Sequence, residues 1–226
     1  MAQLRLLSWN VRSLRDGRAG VAAVIRAAEV DVAVIQEAPR FLRWRSKRAA
    51  LARESRLLIG TADRLGGLLV MTSPRTWVLE HDHLALPATP RRHHRAVVTA
   101  AVSVAGGPAW QVAVVHLGVD ADERRRHAGI VRSIIDDDAP ELPLVLAGDV
   151  NAEPGSAAWE TLADGLVDAF AAAPMPTFPA RSPRRRIDAV LVSGSVGVVE
   201  SRVLDDPTAS RASDHLPLVV TLEDAR

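Results

Sequence analysis

The residues able to do chemistry in this chain are scattered along it, and their types suit one another. Asn10 closes Ser8-Trp9-Asn10, and Glu37 closes Gln36-Glu37. His116 precedes Leu117, and Asp149 and Asn151 stand in Gly148-Asp149-Val150-Asn151. Asp188 closes Arg186-Ile187-Asp188, and Asp214 and His215 close Ser213-Asp214-His215. Carboxylates and a carboxamide are oxygen donors of the kind a hard divalent cation takes. A carboxylate or imidazole can orient or deprotonate a water, and amide or imidazole N–H groups can donate to phosphate oxygens. Gathered at one place, such a set can hold a cation, a phosphate and an attacking water together.

Each residue also has a plainer reading. Glu37 can be a strand-terminal acid facing solvent. Asn10 can cap a turn, and Asp149–Asn151 can form an Asx turn leading into Pro154-Gly155. His116 can be a satisfied structural histidine. Spacing nevertheless constrains the set. Asp149 and Asn151 are two apart, so on an extended backbone both side chains point the same way. Asp214 and His215 are adjacent and face opposite ways. Asp188 is therefore the more natural partner for His215, leaving Asp214 for the cation or the water.

The elements that must position these residues are legible as apolar runs. Residues 3–9, 31–36, 66–71, 96–104, 110–116, 143–147, 187–192 and 216–222 read as strands, rich in Val, Leu and Ile. Residues 18–28, 39–54, 121–136 and 156–163 read as helices, the third with Asp122 and Glu123 in its first turn. Gly106-Gly107-Pro108 reads as a tight connection between two antiparallel strands, and Pro174 to Pro183 as a loop. Most candidate residues end or follow one of the apolar runs. Several consecutive strands have no helix between them, which favours two packed, mostly antiparallel sheets with helices outside. The candidates span residues 8 to 215 with no linker-like stretch, so a single domain over 1–226 is expected.

Composition narrows the classes. With 226 residues, 48% of them hydrophobic, the chain can bury a sizeable core. Lys and Arg number 28 against 27 Asp and Glu, a net charge of +1, which argues against a dominant polybasic surface. Lys47 is the only lysine. Cysteine is absent, which removes disulfides, thiolate catalysis and Cys-ligated zinc. No stretch is long and apolar enough for a membrane span, and the N-terminus reads as a strand rather than a signal peptide. A cytoplasmic monomer is the default expectation.

In order and over nearly the full length, these motifs resemble the endonuclease/exonuclease/phosphatase superfamily, also called DNase I-like. The string is Trp9-Asn10, Gln36-Glu37, His116-Leu117, Gly148-Asp149-Val150-Asn151, Arg186-Ile187-Asp188 and Ser213-Asp214-His215. Arg95, ahead of the run Ala96 to Val104, looks like the family's strand-leading arginine. The resemblance implies a four-layered α/β sandwich with two central β-sheets. It implies Mg²⁺ or Mn²⁺ at Glu37, with Asn10 and Asp214 in or near the metal shell. It implies Asp149 on the water and Asn151 on the water or phosphate. It also implies His116 on the phosphate, and His215, oriented by Asp188, on the phosphate or as base. Whether Asp149 or His215 takes the proton stays open.

The implied activity is metal-dependent hydrolysis of a phosphodiester, with nucleic acid one substrate class. The alternative is a phosphomonoesterase on a small or lipid-derived phosphate such as an inositol phosphate, and a third reading is a non-catalytic binding member. The abasic-site endonucleases of the family carry an active-site tyrosine, and this chain has no tyrosine. The loop Thr177-Phe178-Pro179 resembles branches outside those enzymes. Two clusters, Arg91-Arg92-His93-His94-Arg95 and Arg181 to Arg186, can supply phosphate contacts or be solvated loop charge. Trp44, among Arg40, Arg43, Arg45, Lys47 and Arg48, reads as half of a stacking face or, more simply, as the buried side of an amphipathic helix.

Overall fold

A computed structural model describes residues 3–61, 63–90, 92–138 and 142–225. The apolar runs form β1 (Gln3–Asn10), β2 (Val32–Gln36), β4 (Leu69–Thr72), β6 (Ala96–Val104), β7 (Ala109–His116), β8 (Leu144–Asp149), β10 (Asp188–Ser193) and β12 (Leu218–Asp224). Four further strands complete the sheets: β3 (Leu58–Ile59), β5 (Thr76–Ala85), β9 (Leu166–Asp168) and β11 (Val196–Val203). The helices are α1 (Arg18–Ala28), α2 (Trp44–Ser55), α3 (Ala121–Asp138), α4 (Ala157–Ala163) and the short α5 (Ala209–Ala212).

Among the described residues the strands make two six-stranded sheets. Their orders are β11-β12-β1-β2-β4-β3 and β5-β6-β7-β8-β10-β9. Each is mixed, with one parallel pair, β1/β2 in the first and β7/β8 in the second; every other pairing is antiparallel. A helix joins each parallel pair, α1 in the first sheet and α3 in the second, as a parallel crossover requires.

Alternation along the strands divides the apolar side chains between two faces. Leu6, Val32 and Val34 of the first sheet pack against Val98, Val114 and Val145 of the second. Leu7, Trp9 and Ile35 point the other way, onto Val21, Ile25 and Leu51 of α1 and α2. Val115 and Leu146 likewise meet Val131, Trp159 and Leu162 of α3 and α4. The result is helix, sheet, sheet, helix, the four-layered DNase I-like α/β sandwich.

Three elements start two or more residues later than the sequence reading places them, each with a local cause. The helix expected over 39–54 begins at Trp44, because Pro39 has no N–H and Arg43 adopts a left-handed φ of 58°. The strand expected from residue 66 begins at Leu69, because Gly66 and Gly67 turn the chain at φ 61° and 73°. The last strand begins at Leu218: Pro217 cannot donate to the ladder, and the N–H of Leu216 binds the carbonyl of Thr177 instead.

Strand direction sets where the chemistry sits. The C-terminal ends of β1 and β2 lie together, Asn10 opposite Gln36. Those of β7 and β8 do the same, His116 opposite Asp149. β10 runs antiparallel to β8, so its first residue, Asp188, is opposite Asp149. β12 runs antiparallel to β1, which brings the residues preceding it, Asp214 and His215, to that same rim.

Candidate active site

Asp149 is the hub. It is 1% exposed, and its Oδ2 accepts a hydrogen bond from Asn10 Nδ2 at 2.9 Å. That bond joins the rims of the two sheets. His116 Nε2 lies 3.2 Å and His215 Nε2 3.8 Å from the same oxygen. Gly148 permits the approach of β7 and β8 here, because a Cβ at this position would collide with the carbonyl of Val115.

The Asx turn expected as a competitor is also present. Asp149 Oδ1 accepts the N–H of Asn151 at 3.0 Å, and Asn151 sits at φ 51°. Asn151 Nδ2 donates to the Leu117 carbonyl at 3.0 Å. The turn fixes the carboxylate of Asp149 and takes Asn151 off the extended path on which the two side chains were expected to face the same way, because β8 ends at Asp149 and Asn151 is left-handed.

His215 pairs with Asp188: its Nδ1 is 3.0 and 3.1 Å from the two carboxylate oxygens. Thr177 Oγ1 donates to Asp188 Oδ2 at 2.5 Å. The Phe178 ring packs on the imidazole with centroids 4.9 Å apart. Trp9 Nε1 donates to the His215 carbonyl at 2.7 Å, and Ser213 Oγ to the Asn10 carbonyl at 2.6 Å. Nδ1 is thereby committed to Asp188, and Nε2 faces Asp149.

Electrostatics follow from this burial. Burial opposes charge on Asp149, but His116, His215 and Asn10 outweigh it and hold the carboxyl well below the usual range. Burial lifts Asp188 above that range, and His215 and Thr177 offset this only in part. Burial also opposes charge on His215, yet Asp188 and Asp149 hold its pKa up at about 10. The resting site therefore carries an ionised Asp149 and an imidazolium at neutral pH.

Raised in the fold from the ordinary 6.5, His215 contributes stability that is complete below about pH 6.5 and lost as pH rises through about 10. In the metal-free protein, NMR of the ring nitrogens is expected to show His215 still protonated past pH 8. Titration near 6.5 in the folded protein would contradict this charge arrangement.

The remaining candidates border the hub. Glu37 and Arg95 line a hollow of about 110 Å³ with His116, Ser13, Arg15 and Gly67. Burial lowers the pKa of Arg95, opposed chiefly by Asp149 and Glu37. His116 Nδ1 is buried and has no hydrogen-bond partner among the described residues. Glu37 is half-buried at φ 51°, and its carboxylate accepts no hydrogen bond among the described residues. Asp214 lies in a second hollow with Arg12, Arg181 and Arg211, its Oδ2 3.3 Å from Arg12 Nε.

The arginine clusters divide. Arg186, in a cluster read as phosphate contacts or solvated loop charge, is neither: it is buried and forks onto Asp168 at 3.0 and 2.5 Å over the Trp159 ring. Arg185 pairs with Glu153 at 3.5 Å, and Arg92 with Asp120 at 3.0 Å. Arg91 lies outside the described residues. Trp44 is half-buried between Arg45 and Arg48, 4.4 and 5.2 Å from its ring.

The only His/Asp/Glu trio among the described residues with ligand atoms within 4.8 Å of one another is Asp149, Asp188 and His215. Its members are largely committed to one another, whereas the carboxylate of Glu37 is left open. The carboxylate of Glu37 is an oxygen donor of the kind a hard divalent cation takes, and Asn10 ends the neighbouring strand, while Asp214 sits in the separate hollow paired with Arg12.

Trp9 and Ser213 stand in the motifs, and Thr177 in the loop Thr177-Phe178-Pro179, but none of them was assigned the supporting role it plays here. Thr177 sits in a proline-rich loop with no periodicity. The sequence also gave no sign of Arg12 on Asp214.

A family profile described as the Endonuclease/Exonuclease/phosphatase family matches residues 7–215. No curated protein matches the chain in sequence. Among solved structures, the chain is similar to a functionally unknown conserved protein from Enterococcus faecalis V583, at 20% identity and a TM-score of 0.83, covering 98% of this chain and 100% of that one. A mannosyl-6-phosphatase from Bacteroides thetaiotaomicron VPI-5482 aligns at 19% identity and a TM-score of 0.82, covering 97% and 99%. D. rerio TDP2, complexed with single strand DNA product, aligns at 20% identity and a TM-score of 0.77, covering 99% and 100%. At these identities the likeness speaks for the fold.

Proposed function

The chain belongs to the endonuclease/exonuclease/phosphatase family, and on that premise we propose that it hydrolyses a phosphodiester by in-line attack of water. Members of the family are hydrolases of phosphoesters. The observation that carries the proposal is the buried set of Asp149, His116 and Asp188-paired His215 at the end of both sheets, with Asn10 joining them. A non-catalytic binding role would not require so many buried ionisable groups aimed at one cleft.

In this reading the Glu37 carboxylate, with the Asn10 side-chain oxygen Oδ1 and Asp214, would hold Mg²⁺ or Mn²⁺. When bound, such a cation neutralises charge on the phosphate and makes a water more acidic. His215, already cationic, donates from Nε2 to a phosphate oxygen. His116 and Arg95 stabilise the same charge from the side of the Glu37 hollow. Asp149, ionised and held by Asn10 and the Asx turn, orients the water and takes its proton. The one domain, 1–226, supplies every group.

Phosphomonoester hydrolysis is the second reading, favoured by the fold shared with a mannosyl-6-phosphatase and by the small hollow beside Glu37.

The test is an activity panel of bis-p-nitrophenyl phosphate, single-stranded DNA, RNA, plasmid and small phosphomonoesters. Turnover is expected to vanish in EDTA and return with Mg²⁺ or Mn²⁺. Glu37→Gln is expected to raise the metal concentration needed for half-maximal rate, because it removes the charge a hard cation requires. Hydrolysis undiminished in EDTA would refute the metal role, and a preference for monoesters would select the second reading.

A further inference from the structure

The segment 39–43, which leaves the helix expected there, carries the two most exposed large apolar side chains among the described residues. Leu42 is 82% and Phe41 73% exposed. Phe41 lines a hollow of about 400 Å³ with Arg40, Arg64, Leu65, Gly66 and His93. This hollow adjoins the one containing Glu37, Arg95 and His116: Arg40, Phe41, Gly66 and His93 line both. The Arg40 guanidinium lies 5.2 Å from the centre of the Phe41 ring, and its Nη2 is 3.1 Å from His93 Nδ1. Arg64 makes one long hydrogen bond, 3.5 Å, to the Arg40 carbonyl. The acid of this lining, Asp63, is engaged by the N–H of Leu65 at 2.6 Å.

An exposed aromatic ring flanked by guanidinium groups, opening onto a phosphate-handling cleft, has a defined chemistry. The ring offers a face for a flat base, and the arginines match the adjoining phosphate. Neither group is consumed by the fold: Phe41 is mostly in water, and Arg40 and Arg64 make no ion pair among the described residues. Nothing in the hydrolytic step proposed above uses them.

We propose that this hollow is a nucleotide subsite for single-stranded nucleic acid. The base of the nucleotide next to the scissile phosphate stacks on Phe41, and its far phosphate is held by Arg40 and Arg64. The proposal rests on phosphodiester hydrolysis at the adjoining site and specifies its substrate.

The experiment measures kcat/KM of the metal-loaded protein on octathymidylate and on bis-p-nitrophenyl phosphate, for wild type, Phe41→Ala and Arg64→Gln. Both substitutions are at exposed side chains. The ratio of the two kcat/KM values is expected to fall roughly tenfold in Phe41→Ala, the scale of one lost base stack. In Arg64→Gln the salt slope for the octamer is expected to shrink by roughly 0.7, the single-strand value for one phosphate contact. Arg125→Gln, on the solvent side of α3, is the control and is expected to leave the ratio unchanged.

An unchanged ratio in Phe41→Ala, with both substrates still hydrolysed, overturns the subsite and leaves the hydrolytic reading intact. If wild type hydrolyses no phosphodiester, that reading fails instead. Fluorescence anisotropy with labelled octathymidylate in EDTA then decides the subsite: weaker binding by Phe41→Ala supports it, and equal binding overturns it.

Discussion

His215→Ala is expected to lower turnover on a phosphodiester by roughly 10²–10⁴, the scale of a positioned proton-donating group. The ring is held by Asp188 at Nδ1 and by the tilted Phe178 ring beside it, and Trp9 holds the backbone carbonyl of His215. On the mechanism proposed above, alanine removes the cation held against the phosphate, and it leaves Asp188 buried without its partner. Asp188→Asn keeps the imidazole but loosens its orientation and charge, so its loss is expected to be smaller. The double variant should lose little more than His215→Ala alone, because both changes act through one ring. Steady-state kcat for the two single variants and the double variant decides it, with circular dichroism to confirm folding. A double loss equal to the product of the single losses would break the assignment of Asp188 as the positioning residue for His215.

Arg48→Met is expected to destabilise the protein by about 3 kcal/mol and to weaken metal-dependent turnover as well. Arg48 is 1% exposed, and its guanidinium is held by backbone carbonyls. Nε donates to Pro39 at 2.9 Å, and Nη1 to Asp63 at 2.6 Å and Leu68 at 3.1 Å. Burial pulls its pKa down to about 10, with Asp63 opposing, so the group stays ionised at neutral pH. Each carbonyl left without a donor costs about 1–3 kcal/mol, and relief of the buried charge offsets part of the sum.

The three carbonyls belong to the two loops flanking Glu37. The N–H of Ala38 binds the carbonyl of Gly67, so slack in these loops reaches the carboxylate next door. Lysine cannot reproduce a fork that spans separate carbonyls, so Arg48→Lys is not expected to rescue. Calorimetry should show Tm falling by about 6–12 °C, at about 2–4 °C per kcal/mol for a chain of this size. The metal concentration for half-maximal rate should rise in parallel. A variant as stable as wild type, with an unchanged metal requirement, would remove Arg48 from this role.

The chain's own pattern was sufficient for the central strands and for the residues at their ends. β1, β2, β6, β7, β8, β10 and β12 are all interior to their sheets, covered on both faces, and read as nearly continuous apolar runs. The strands that escaped the sequence reading are β3, β5, β9 and β11, which are the four sheet edges. An edge strand is only partly covered, so residues such as Glu80, His81 and Asp82 of β5 remain in water and carry no core signature. The pairing of His215 with Asp188 was also expected, although the premise of an extended chain fails: Asp214 and His215 lie in a bend ahead of β12.

Tertiary structure decided what depends on two distant segments meeting. Asn10 on Asp149, Thr177 on Asp188 and Arg12 on Asp214 each join separate stretches of chain, and no local periodicity records such a bond. Arg186 has the right chemistry for a phosphate but is taken by Asp168, a competition visible only when both are placed. The unwinding of residues 39–43 belongs here too. Helical spacing favoured a longer α2, but burial of Arg48 against the carbonyls of Pro39, Asp63 and Leu68 accompanies a different path. Local sequence sets which residues can lie at a strand end, while the partner each one meets is set by how the two sheets pack.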